Sequence, residues 1–396
     1  MRMRKLLVCL VSATALAIGF TTLAAAQSSA AMAIYDASAV VSTNVKGVHT
    51  FKAPAAGFNP LTASDEELAT YGFPPRPPQD DVEHYGMWAK AMRAGKTQWA
   101  GELKVMPYSS VSARPANAPE GVDEVSAAKE AAGPVLGYYY NWSGFINTQP
   151  TLKKYNTTST TSSFYYIVSD FNVPVAEEAF NSTPPPSTIC DNSTDLEVSW
   201  NGIDGDLDGA ALLQGGTLSG ITCSEPYTGY FITSTQYLAW LEWYPAYSIL
   251  GAFNVNPGDD FYVETWDTTA TQGYVFLDDE TLGIYGTFAI TSGGGPGLIG
   301  NSAEYIVERP CCIGSDFFPL ANYVQNFWAN SFAVTFYEYN HGLATPWYPG
   351  STSTNNVLAT MVNDEDTYNI SVPKAMGDYG IFFEDENCAY SGGCVP

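Results

Sequence analysis

The side chains able to do chemistry in this chain are carboxyls and amides. Residues 200–216 read WNGIDGDLDGAALLQGG, with Asp204, Asp206 and Asp208 in one short turn and Gln214 just beyond it. Residues 237–245, YLAWLEWYP, set Glu242 between Trp240 and Trp243. Residues 301–310, NSAEYIVERP, hold Glu304 and Glu308 four positions apart. The aspartate spacing opens like an EF-hand calcium loop, which needs a glutamate at its twelfth position and a helix on either side. Counted from Asp204, the twelfth residue is Gly215, and both flanks read as strands. No metal and no cofactor are expected. Beyond residue 133 the only histidine is His341, in EYNHGL, with no recognisable partners for a Ser-His-Asp triad. No Asp-Thr/Ser-Gly element offers an aspartic dyad. Proton transfer by a carboxyl remains. Near its own pKa, roughly 4.3 for glutamate, one side chain can both accept a proton and return it.

The elements around these residues read as strands. Val198 and Trp200 alternate into the aspartate turn and Ala211 to Gln214 lead out, so Gln214 sits on a strand beside a turn crowded with acids. Glu304 and Glu308 face the same side of their strand, with Tyr305 and Val307 on the other. Glutamates on strands are disfavoured unless that face is wet or functional. From about Val135 onward the chain is short aromatic and β-branched runs between Gly/Asn/Asp turns. GAFNVNPGDDFYVETW predicts a hairpin turning at Pro257–Asp260, and GYVFLDDETLGIYGTFAI repeats the pattern. The expected fold is all-β: a two-sheet antiparallel β-sandwich of the lectin-like jelly-roll kind, preceded by a partly helical pro-region. In LTASDEELATYG, Ser64 and Glu67 form a capping box. DDVEHYGMWAKAMRAG is a second helical stretch, ending at Gly95, and FPPRPP breaks the helix between them. A polar, Ala/Pro-rich linker ends near Gly133. The first 26 residues have a basic start, an apolar run and small residues at the end, as a secretory signal peptide does. The expected organisation is a signal peptide over 1–26, a pro-region over 27–133 and a β-sandwich over 134–396.

Taken together, these segments resemble the glutamic peptidases called eqolisins, acid-active endopeptidases with a two-sheet lectin-like sandwich. NWSGFI supplies the family's early tryptophan, Trp142. WNGIDGDLDGAALLQGG supplies Trp200, the Asp204 and Asp206 turn, and Gln214 where the family has its catalytic glutamine. WLEWYP supplies Glu242 and Trp243. AEYIVERP matches the strand with the catalytic glutamate, and the second of its two, Glu308, is expected in that role. The resemblance implies that Glu308 takes a proton from water while Gln214 donates to the oxyanion. It also implies that Trp142, Trp200, Asp204, Glu242 and Trp243 wall the cleft and bind substrate. One departure is Arg309, where fungal members tend to carry an acid; on a strand it should point away from the Glu308 face.

Charge is unevenly divided. Residues 134–396 hold four of the chain's 16 Lys/Arg and 29 of its 41 Asp/Glu. In acid, few positive charges remain there to repel one another, so the chain should tolerate low pH. So acidic a surface argues against a nucleic-acid partner. Residues 27–133 hold nine Lys/Arg, which could pair with the acidic part at neutral pH and let go when its carboxylates protonate. Six cysteines follow the leader, an even number that favours disulfides in an exported chain. The expectation is a secreted, monomeric zymogen acting on polypeptides, with no membrane association after leader removal. Two rival readings are a jelly-roll glycosidase, since AEYIVE echoes a strand of such xylanases, and a carbohydrate-binding lectin-like module.

Overall fold

The structure is a computed structural model. It describes residues 39–109, 134–149, 155, 158, 162–177, 193–207, 211–227, 230–313, 316–323, 325–336, 338, 347–350, 356–363, 369–376 and 382–388. The proposed leader, the 110–133 linker, Asp208, Gly209 and His341 lie outside the described residues.

The N-terminal part contains β1 (Val40–Ser42), β2 (Val48–Phe51), α1 (Asp65–Thr70), α2 (Val82–Ala91), β3 (Thr97–Gln98) and β4 (Lys104–Val105). The rest is strand: β5 (Val135–Tyr139), β6 (Trp142–Thr148), β7 (Phe164–Asn172), β8 (Thr194–Ile203), β9 (Leu212–Tyr227), β10 (Tyr230–Tyr244), β11 (Leu250–Asn254) and β12 (Asp260–Thr269). There follow β13 (Gln272–Asp279), β14 (Ile284–Thr291), β15 (Ser302–Glu308), β16 (Cys311–Ile313), β17 (Asp316–Phe317) and β18 (Gln325–Thr335). The last are β19 (Asn356–Val362), β20 (Asn369–Met376) and β21 (Phe382–Asn387).

Pairing sorts these strands into two layers. One runs β4–β11–β10–β9–β8–β15–β6–β19, with every pair antiparallel. The other runs β21–β18–β7–β12–β13–β14–β2–β1, again antiparallel. β20 pairs with both β19 and β21 and so joins the layers along one edge. Between them lies a core to which β10 gives Ala239, Leu241 and Trp243, β15 gives Ala303, Tyr305 and Val307, and the second layer gives Phe171, Phe261, Val275, Phe288 and Trp328. Each such large side chain contributes about 1.5–3 kcal/mol on burial. This is the β-sandwich expected from the alternation of apolar residues.

Each layer also carries apolar residues on its outer face. Outside the second layer, Tyr166, Tyr262, Trp266, Tyr274 and Phe276 pack against Leu68 of α1 and against Met87, Trp88 and Ala91 of α2. The Ser64 capping box forms, with the Glu67 N–H donating to Ser64 Oγ (3.2 Å) and the Ser64 N–H to Glu67 Oε2 (2.8 Å). Outside the first layer sit Trp142, Val198, Trp200, Leu212, Leu218, Trp240 and Ile306.

The hairpin expected over residues 251–266 does not form. β11 and β12 are both strands, but β11 pairs with β10 and β4 in the first layer, while β12 pairs with β7 and β13 in the second. The Pro257-Gly258 turn there redirects the chain from one layer to the other. The hairpin expected around DDETLG does form, between β13 and β14.

Candidate active site

The register of four adjacent strands sets the geometry. Glu242 on β10 pairs with Gln214 on β9, Gln214 with Gly202 on β8, and Gly202 with Glu304 on β15. Directly paired residues point to the same face of a sheet. Glu242, Gln214 and Glu304 therefore project in one row from the outer face of the first layer. Gln214 and Glu304 stand two strand spacings apart, ~10 Å between backbones, and the residue between them has no side chain. A Cβ at position 202 would lie 2.9 Å from the Leu213 carbonyl oxygen and 3.0 Å from Gln214 Cβ. Glycine there lets an amide and a carboxyl face each other across bare backbone.

All three side chains are fully buried. Gln214 Nε2 donates to Glu242 Oε2 at 2.8 Å, which fixes the orientation of the carboxamide. Burial pushes the Glu304 carboxyl well above the ordinary glutamate range. Contact with Ser302 offsets part of this, and the neighbouring Asp206 and Asp204 charges push the same way as burial. The Asp206 backbone N–H also reaches the Glu304 carboxyl and offsets part of the same effect.

Glu308 lies on the same face, four residues and ~13 Å further along β15. It pairs with Val198, not with the Gln214 row. Its oxygens accept from Asn141 Nδ2 and from Trp200 Nε1, both at 2.8 Å. Trp200 packs edge-on against Trp142 at 5.0 Å, and Trp142 stacks on Tyr139 at 5.8 Å. The Tyr139 hydroxyl donates to Asp206. Glu308 thus anchors an aromatic wall beside the row. Arg309 turns away, as expected: its Nε donates to the Tyr140 carbonyl (2.7 Å) and its guanidinium lies over Phe317.

The register and packing place three of the expected residues as follows. Glu308 does not share a row with Gln214; Glu304 does. Trp243 is not a cleft residue, because the strand alternation that points Glu242 outward points Trp243 into the core between the layers. Asp204 is a backbone anchor. It is buried with φ +68°, and its carboxylate accepts the N–H groups of Ile299 (2.5 Å), Gly300 (2.8 Å) and Asn301 (2.8 Å), tying the end of β8 to the start of β15. Gln214, Glu242, Trp142 and Trp200 all stand on the outer face of the first layer. Asn141 and Tyr139 were not foreseen, and nothing in their local sequence marks them.

Comparison with known proteins adds an independent observation. The profile of the peptidase A4 family matches residues 140–371. No curated protein matches the chain. Among solved structures, scytalido-glutamic peptidase with a transition-state analogue inhibitor is 19% identical, with 63% of this chain and 98% of that chain covered and a TM-score of 0.45. SCP-B, a member of the eqolisin family in complex with the tripeptide Ala-Ile-His, is 18% identical over 63% of this chain and 98% of that one, at a TM-score of 0.43. Aspergilloglutamic peptidase from Aspergillus niger is 22% identical over 49% of this chain and 99% of that chain, at a TM-score of 0.38.

Proposed function

The chain belongs to the peptidase A4 family and is a glutamic endopeptidase; from that premise we propose that it is a secreted, acid-active enzyme whose chemistry is carried by Gln214 and Glu304. The observation that supports this is the row Glu242–Gln214–Gly202–Glu304. Ionised Glu304 takes a proton from a water molecule, and the resulting hydroxide attacks the scissile carbonyl. An N–H of Gln214 donates to the oxyanion as the tetrahedral intermediate forms. That donor is neutral and keeps its role at every pH. Glu304 then delivers its proton to the departing amine, the C–N bond breaks, and the carboxylate is regenerated. Glu242 positions the amide, and Glu308 positions Trp200 and Asn141.

On this proposal, water entering with the substrate relieves the burial that raises the Glu304 pKa and brings the carboxyl toward its ordinary value of roughly 4.3, where catalysis by one carboxyl is efficient. The remaining expectations belong to the same proposal: export by the leader, activity as a monomer on polypeptides away from membranes and nucleic acid, a pro-region over 27–133, and disulfides among the six cysteines. The buried Cys223, Cys311 and Cys388 would take part in those disulfides.

The test is hydrolysis of casein at acid pH. Gln214→Ala should lower kcat on the order of 10²–10³-fold, as loss of one oxyanion donor does, with an unchanged far-UV spectrum. Wild-type turnover by this variant would refute the assignment.

A further inference from the structure

The two edges of the sandwich are closed in different ways. On one side β20 joins β19 to β21. On the other side the strands that cover β11 and β14 come from the N-terminal part of the chain. β4 pairs with β11, Val105 opposite Leu250 and Lys104 opposite Gly251. β2 pairs with one end of β14, Val48 opposite Ile290 and His49 opposite Ala289. β3 takes the other end, Thr97 opposite Ile284 and Gln98 opposite Tyr285. The Thr97 N–H donates to the Gly283 carbonyl (2.8 Å) and the Trp99 N–H to the Tyr285 carbonyl (2.7 Å). The buried Thr50 hydroxyl donates to the Thr287 carbonyl (3.0 Å). The pieces covering the two layers are also tied to each other. The Asn44 carboxamide donates to the Leu103 carbonyl and accepts the Leu103 N–H, both at 2.9 Å. Val48 and Leu103 belong to the core between the layers, with Leu250, Phe253, Phe288 and Ile290. Trp99 packs on Phe288 at 5.0 Å.

The N-terminal part thus supplies strands and core to the sandwich, besides the α2 cover in which Trp88 is fully buried. Without it β11 and β14 would present open N–H and C=O groups, the kind of edge that recruits other chains. An interface of this sort is a domain core cut in two, as in obligate complexes. There is no cysteine between residues 27 and 133, so packing alone must hold this part in place.

We propose that residues 40–105 are a permanent piece of the working enzyme. When the chain is severed between residues 110 and 133, they stay bound to residues 134–396 without a covalent link and keep the sandwich folded. Of the pro-region proposed above, this piece is then shed at no stage of maturation, and only its flanks are open to removal. The surface that receives it is the β11 and β14 edge together with the aromatic outer face of the second layer.

The experiment places the recognition sequence of a site-specific protease at residues 114–120 of the full chain and cuts it there. Both fragments should then elute together on gel filtration, and they should do so even in about 1 M salt, where the screening length falls to about 3 Å and the lysine ion pairs lose their reach. The cut protein should melt in one cooperative transition. Val48→Asp should weaken retention of the N-terminal fragment at least about tenfold. Val48→Ala is the milder variant should that one fail to fold, and Val82→Asp, at a position 76% exposed, should change nothing. After separation in urea, the fragment over 134–396 should regain no cooperative transition on dilution by itself, and should regain it when the N-terminal fragment is added back. Release of the N-terminal fragment by the cut, with residues 134–396 keeping the parent Tm, overturns the proposal, as does unchanged retention in both Val48 variants. Casein hydrolysis should return only with the recombined pair. If no form hydrolyses casein, the catalytic reading falls, while elution and melting still decide whether the piece is permanent.

Discussion

Glu242 decides how Gln214 presents its amide. Its carboxylate takes an N–H of the carboxamide at 2.8 Å, so the amide nitrogen, and not its oxygen, is held in place along the row. Glu242→Leu removes that acceptor while keeping the volume roughly constant. The expected outcome is a kcat reduced on the order of 10–100-fold, the cost of a misaligned group, with KM little changed; an unchanged kcat would show that the amide orients itself. Most of these residues were legible in the sequence as types at suggestive spacings. Gln214 beside an acidic turn and Glu242 between tryptophans could both be picked out from the chain alone. The choice between Glu304 and Glu308 could not. Both glutamates project from the same face of one strand, and only the register of β8 against β9 and β15, a long-range property, sets which of them lies in the row of Gln214.

At the scale of elements, strand phase was readable and strand partnership was not. The period-two pattern correctly split Glu304 and Glu308 from Tyr305 and Val307, and the capping box correctly started α1. Applied to the β10 sequence, the same alternation separates Glu242 from Trp243, a distinction that a motif match overrides. β11 and β12 show the limit, since turn chemistry fixes a bend but not which neighbours the strands then find. The cations upstream of residue 133 do meet the acidic layer: Lys90 pairs with Asp170 (3.0 Å) and Glu280 (2.5 Å), and Lys96 pairs with Asp278. Release of these contacts by acid does not follow. Burial outweighs the attraction of Lys90 and holds Asp170 up at about 6. In the same way burial outweighs Lys96 and holds Asp278 at about 7. A carboxyl whose pKa is raised in the packed state contributes stability that is complete below its free value, roughly 3.9, and is lost as pH rises through the packed value. Lowering the pH from 8 to 5 therefore favours the Asp170 and Asp278 contacts, while His84 of α2, whose pKa burial lowers, opposes packing as it protonates. With that opposing group removed by His84→Gln, amide exchange at Trp88 and Ala91, corrected for intrinsic rates, should be at least as slow at pH 5 as at pH 8; faster exchange at pH 5 would restore the acid-release idea.

The whole molecule repeats this sign. Burial raises Glu197 and Glu264 to about 8 and Asp385 to about 6, in addition to Asp170 and Asp278. Between roughly pH 4 and 8 the folded chain holds more protons than the unfolded one, so stability is greatest at the acid end and falls as pH rises through 6 to 8. The composition pointed to acid tolerance through its scarcity of cations. The buried carboxyls add a cause invisible in composition, because burial depends on the fold. Thermal unfolding should show a Tm that falls steadily from pH 5 to pH 8.5, and a Tm that climbs over that range would contradict the assignment of these groups. The central claim, that Glu304 and Gln214 act as a pair across Gly202, is tested most directly by comparing Glu304→Gln with Glu308→Gln in single-turnover cleavage of one peptide. The account predicts that Glu304→Gln abolishes cleavage and that Glu308→Gln, which retains an acceptor for Trp200, leaves measurable turnover. Cleavage by Glu304→Gln together with an inert Glu308→Gln would contradict it.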